Sequence, residues 1–132
     1  MIDDAIMMIP SSTPASILTE EEILKEMAHS LPLWSLGSSE KVPAFLRRTF
    51  IAKDFQSALD CINLMGAIAE SVNHHPNFHL TSYRQVDIEL FTHDRNGVTG
   101  KDIALAKLLD EVKVRYSPKW LKAHPEAHMT AI

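Results

Sequence analysis

With 132 residues, 45% of them hydrophobic and 23% charged, the chain can bury the core of one domain and lacks the composition of a disordered protein. A formal net charge of −4 excludes a broad electropositive field, so direct binding to nucleic acid is not expected. The single cysteine, Cys61, excludes an internal disulfide; no apolar run approaches the ~18 residues of a membrane span, and the two acids in MIDDAIMM are unlike a secretory or transit leader. The expectation is an intracellular protein, cytoplasmic or nuclear.

Residues 1–17 mix prolines and serines without a sustained period and read as a flexible tail. Thr19 and Glu22 then have capping-box spacing, with Leu18 and Ile23 placed as a hydrophobic staple. A helix is predicted to about His29, aligning Ile23, Leu24, Met27 and Leu31 for burial. Two short apolar stretches flank a Gly-Ser break in LPLWSLGSSEKVPAFLRRTFIAKDF and predict two strands, with Trp34 in the first. In the second, alternation sets Leu46, Arg48 and Phe50 against Arg47, Thr49 and Ile51, without saying which face is buried. Arg47, Arg48 and Arg95 read as solvated charges.

From Lys53 to about Asn73, Phe55, Ala58, Leu59, Ile62, Met65, Ala69 and Val72 recur at helical spacing. Pro76 disfavours a helical His75 and ends this helix near His74. Val86 to Leu90 alternate as a strand buried on one face, and residues 78–92 fit one strand or a tight hairpin. After the turn-forming DRNG, Thr99 and Asp102 make a second capping box, which gives Asp102 an architectural role. A last helix follows, with Ile103, Leu105, Ala106, Leu108, Leu109 and Val112 on its inner face. Pro118 is expected to end the domain of residues 18–117, leaving 118–132 as a C-terminal tail from which Trp120 and Leu121 could dock. Segregated helices and antiparallel strands make an α+β fold with helices on one face of one sheet. The other face and the sheet edges stay open to association with further copies.

The stretch NHHPNFH, residues 73–79, concentrates three of seven histidines. Glu70 and His74 are four apart on the last turn of the helix, His75 lies just beyond, and His93 ends the alternating strand. Histidine at a helix end can also simply cap carbonyls and meet the dipole. Metal ligation by His74, His75, His79 and His93 is disfavoured, because adjacent histidines diverge and Pro76 breaks the spacing between His75 and His79. The chain carries no CxxC, HExxH, phosphate-binding glycine loop or GxSxG elbow. What remains is acid–base chemistry by imidazole, which exchanges protons near neutral pH without a cofactor.

Glu70, His74-His75-Pro76, Tyr83, His93 and Asp102 together resemble the signature of the pterin-4a-carbinolamine dehydratases. The similarity extends from about Thr19 to Tyr116 and includes Trp34 and Asp54-Phe55. It implies a four-stranded antiparallel sheet with three helices on one face, in the order αββαββα, and a hairpin turning near Tyr83 and Arg84. It further implies a homodimer or homotetramer and a cofactor-independent, metal-free hydro-lyase that dehydrates 4a-hydroxytetrahydropterin during tetrahydrobiopterin recycling. His74, His75 and His93 would be catalytic, and Glu70 would orient His74. Some relatives also serve as dimerisation adaptors for a transcription factor, so a catalytically idle coactivator is the alternative. Asn73 stands where some relatives carry aspartate.

Overall fold

The structure, a computed structural model, describes residues 16–132. The expected N-terminal tail therefore lies outside the described residues except for its last two. Helix α1, Glu20–Ser30, starts at the predicted capping box: Thr19 accepts from the Glu22 backbone while the Glu22 carboxylate accepts from the Thr19 N–H. Glu20, Glu21 and Glu22 in the first turn also oppose the positive end of the helix dipole. Ile23, Met27 and Leu31 are buried, whereas Leu24 is half-exposed, because its position falls off the inward stripe.

Strands β1, Ser35–Gly37, and β2, Phe45–Ile51, follow. Trp34 just precedes β1 and is buried, its indole N–H donating to Asp110. Gly37 faces Phe45 across the ladder, and a Cβ there would meet the phenylalanine ring, which would have to shift. The β2 alternation resolves with Leu46, Arg48 and Phe50 inward. Arg48 is thus not a solvated charge. Only 2% exposed, it donates to Asp110 at 2.9 Å and to the Tyr116 hydroxyl at 2.6 Å, which offsets much of the cost of burying a cation.

Helix α2, Phe55–Ser71, is capped by Asp54, which accepts from the Ser57 N–H, and buries Ala58, Cys61, Met65 and Ala69. Burial pushes the Cys61 thiol up to about 11, which fits an unreactive core residue. Strands β3, Asn77–Thr81, and β4, Gln85–Leu90, form the hairpin that the pattern left open. Ser82 and Tyr83 make its turn with φ of 48° and 56°, and Tyr83 is exposed at the tip. The antiparallel sheet has the order β1-β2-β4-β3. Val86, Ile88 and Leu90 join the inward residues of β2, while Arg47, Thr49, Gln85 and Glu89 line the opposite face.

Helix α3, Gly100–Leu109, opens at the second capping box and packs Ile103, Leu105, Ala106, Leu108 and Leu109 into the common core. The expected C-terminal tail is instead folded. Pro118 begins a short helix α4, Pro118–Ala123, whose first turn Ser117 caps, and a 3-10 turn spans Pro125–Thr130. Proline ends helices but is equally suited to their first position, where no N–H is needed. Tyr116 and Trp120 meet Phe50 edge-on and lie against each other, Ala127 is buried, and Ala131 bridges to Val114. The described chain thus has a fourth helix beyond the three expected. None of its helices is long and apolar enough to cross a membrane.

Candidate active site

The exit from α2 builds the first part of the site. Asn73 adopts the left-handed conformation, φ 53°, and its N–H bonds to the Glu70 carbonyl while the His74 N–H reaches back to Ala69. These two bonds close the helix as a Schellman motif, in which asparagine is the usual substitute for glycine. Asn73, where some relatives have aspartate, thus has a backbone role. The turn ejects His74 and His75 from the helix, and Pro76 leads the chain extended into β3.

The two histidines take different partners. His74 is largely buried, with Nε2 at 2.6 Å from Oδ1 of Asp102. His75 is half-exposed, with Nε2 at 2.8 Å from Oε1 of Glu70. Glu70 therefore orients His75, not His74 as expected: from the last turn of the helix its side chain meets the residue beyond the turn. Asp102 orients His74. At the third position of α3, its Oδ2 accepts from the Thr99 N–H at 2.9 Å, the capping contact the sequence predicts, and from the Thr92 hydroxyl at 2.8 Å. A fully buried carboxylate thereby serves as helix cap and imidazole partner at once.

Thr92 links this centre to His93. Its backbone N–H bonds to the Gly97 carbonyl and closes the turn that starts with His93. His93 is exposed in that turn, its ring 4.3 Å from the Phe91 ring, and Asn96 completes the reversal with φ 53°. The start of α3 therefore gathers the partners of His74, and His93 follows one of them, Thr92, in the chain. His79 lies elsewhere. It projects to the outer sheet face beside Glu89, at 3.3 Å. Among the described residues, no group of three or more His, Cys, Asp or Glu side chains is arranged to hold a metal ion.

Comparison with known proteins bears directly on this arrangement. Residues 16–112 match the family described as pterin 4 alpha carbinolamine dehydratase. The chain belongs to this family. A relative from Sulfurisphaera tokodaii named for the same enzyme is 38% identical over 95 residues, covering 72% of this chain and 95% of its own. Another from Rhodopseudomonas palustris is 37% identical over 89 residues, covering 67% of this chain and 84% of its own. Among solved structures, a transcriptional coactivator/pterin dehydratase from Brucella melitensis superimposes with a TM-score of 0.62 at 30% identity, over 72% of this chain and 96% of that one. The fold of the pterin dehydratases is thus shared. Tyr116, α4 and the 3-10 turn lie beyond the residues matched to the family.

Chemically, the site offers imidazole edges. A carboxylate only accepts, so Asp102 fixes His74 with Nε2–H as donor and leaves Nδ1 as the free ring atom. Glu70 does the same for His75 with less constraint, since both side chains are open to water. Sequence reasoning missed the service of Asp102 to His74 and the part played by Thr92. The capping box accounted fully for Asp102, and a threonine after an apolar strand carries no signal.

Proposed function

We propose that this protein dehydrates 4a-hydroxytetrahydropterin to quinonoid dihydropterin by histidine acid–base catalysis, as a step in tetrahydrobiopterin recycling. The observation that carries the reading is the His74–Asp102 pair, a partly accessible imidazole held by a buried carboxylate, with the imidazole of the next residue held by Glu70, in a chain of this family.

Loss of water breaks the bond between C4a and the hydroxyl oxygen. One acid protonates that oxygen as it departs, and one base removes a proton from a ring nitrogen. A proton is delivered and a proton is recovered, so the protein ends as it began. No electron leaves the substrate, and the stoichiometry requires no redox partner. His74, His75 and His93 are the groups assigned to these transfers and to holding the pterin. Asp102 steadies His74 in one tautomer and would stabilise its cationic form, while Glu70 does so for His75.

Association into a homodimer or homotetramer is part of the proposal. It is supported by the exposed Arg47 and Thr49 on the outer sheet face and by β3, which among the described residues is an edge strand of the sheet. The Brucella melitensis neighbour carries a coactivator name as well as a dehydratase one, which favours keeping an adaptor role as the second reading. An adaptor surface has no use for a locked imidazole. Spectrophotometric turnover of the carbinolamine by chelator-treated protein tests the proposal: acceleration above the uncatalysed rate supports it, and no acceleration leaves the adaptor reading.

A further inference from the structure

We propose that Thr92 is a positioning residue of this site: its hydroxyl holds the Asp102 carboxylate in the orientation that fixes His74. The inference rests on the dehydratase reading for its rate predictions but not for its spectroscopic one. Thr92 lies outside the set of residues that carry the family resemblance, and it touches none of the three histidines by a hydrogen bond. Its influence would pass through Asp102.

The hydrogen bonds around Asp102 have a single consistent direction. The Asp102 carboxylate accepts only, so the Thr92 hydroxyl gives its one proton to Oδ2, at 2.8 Å. The Thr92 oxygen is then left as an acceptor, and the Thr99 hydroxyl 2.7 Å away supplies the donor. Thr99 in turn accepts from the Lys101 N–H at 3.2 Å. The polarity therefore runs from Thr99 through Thr92 to Asp102, and on the far oxygen His74 donates to Oδ1. Three donors, the Thr92 hydroxyl, the Thr99 N–H and His74 Nε2, meet on one carboxylate.

A carboxylate held by a single backbone N–H could still pivot about that contact. Two donors on Oδ2, one from Thr99 at the cap of α3 and one from Thr92 just after β4, remove that freedom and set Oδ1 against Nε2. The anchor is itself rigid. Thr92 is 5% exposed, Thr99 and Asp102 are fully buried, and the Thr92 backbone is bonded to Gly97. Water cannot readily replace the lost hydroxyl in such a place. Because the next residue is His93, one short segment supports both His74 through a side chain and His93 through the backbone.

The test compares Thr92→Val, which keeps the side chain's shape and deletes the hydroxyl, with Thr92→Ser, which keeps the hydroxyl. Small displacements of reacting groups lower rates steeply, so Thr92→Val should reduce kcat roughly 10-fold with little change in KM, and Thr92→Ser should restore most of it. In a His74→Ala background, Thr92→Val should cost no further rate. Nitrogen-15 NMR of the unsubstituted protein should show His74 as the Nε2–H tautomer with a slowly exchanging ring proton, and Thr92→Val should broaden that signal. An equal rate loss with and without His74, or a wild-type rate and ring-proton signal in Thr92→Val, overturns the proposal, as does a serine variant that folds but restores nothing. If the valine variant does not fold, Thr92→Cys, whose thiol is only a weak donor, takes its place: an unchanged rate and an unchanged His74 ring-proton signal overturn the proposal. Absence of carbinolamine turnover would reject the dehydratase reading while leaving the NMR comparison valid.

Discussion

His74 Nε2 and Asp102 Oδ1 are 2.6 Å apart, and the same aspartate closes the N-terminal cap of α3 through its other oxygen. One side chain therefore both caps α3 and holds an imidazole. Asp102→Ala should lose the cap, worth about 0.5–2 kcal/mol, and should also release His74. We expect an earlier thermal melt together with a fall in dehydration of roughly 10²-fold. A variant that melts early yet turns over normally would confine Asp102 to architecture.

The Glu70–His75 pair is exposed on both sides and predicts a milder pattern. Exposed pairs contribute little to folding, so Glu70→Gln should leave the melting temperature nearly unchanged. It should slow dehydration less than His75→Ala does, because the imidazole remains. Equal initial rates for Glu70→Gln and the unsubstituted protein, with His75→Ala slow, would limit Glu70 to a surface contact.

Tyr116 separates the stabilising network from the site. Its hydroxyl accepts from Arg48 and lies 2.6 Å from the Thr130 hydroxyl, near the C-terminal end of α3, whereas His74 meets the opposite end. Tyr116→Phe leaves a buried guanidinium N–H without its partner and should cost about 1–3 kcal/mol. Denaturant unfolding should show that loss while the rate per folded molecule stays the same. An unchanged midpoint would mean that the C-terminal segment does not secure Arg48.

Asp87 on the outer sheet face gives a pH signature. Burial raises its proton affinity, but hydrogen bonds from Thr49, Arg47 and Gln85 outweigh this and hold the carboxyl below its ordinary value of 3.8. The unfolded chain then binds more protons than the folded one in acid, so stability rises with pH in that range. The contribution is fully present above the unfolded value and is lost as pH falls through the lower folded one. Melts of Asp87→Asn and the unsubstituted protein should differ at neutral pH and converge below about pH 4. A constant offset at every pH would refute the assignment.

The fold was legible where local chemistry repeats. Both capping boxes, the stripe Ala58, Met65 and Ala69, and the alternation around Val86 to Leu90 each encode their own element in a short window. What depends on distant partners was not. Arg48 shares the inward parity of Leu46 and Phe50, yet nothing near it announces Asp110, 62 residues away. The Ser82-Tyr83 turn has no glycine or asparagine to mark its positive φ values. Pro118 reads equally as the end of one helix or the start of another, and only the docking of Trp120 decides. The histidines were legible as a set, but their pairing was not. Four-residue spacing favours Glu70 with His74, whereas the Asn73 turn carries His74 away toward Asp102 and brings His75 to Glu70.

The central claim is that His74 moves a proton in carbinolamine dehydration. It is tested most directly by initial rates and thermal melts of chelator-treated unsubstituted protein and His74→Ala, measured side by side. Acceleration without added metal is predicted for the unsubstituted protein, and in the variant a loss of roughly 10²-fold or more per folded molecule, with stability lowered by about 1–3 kcal/mol because the buried Asp102 loses its imidazole partner. A variant that keeps its rate per folded molecule, or an activity that returns only with a divalent ion, would contradict it.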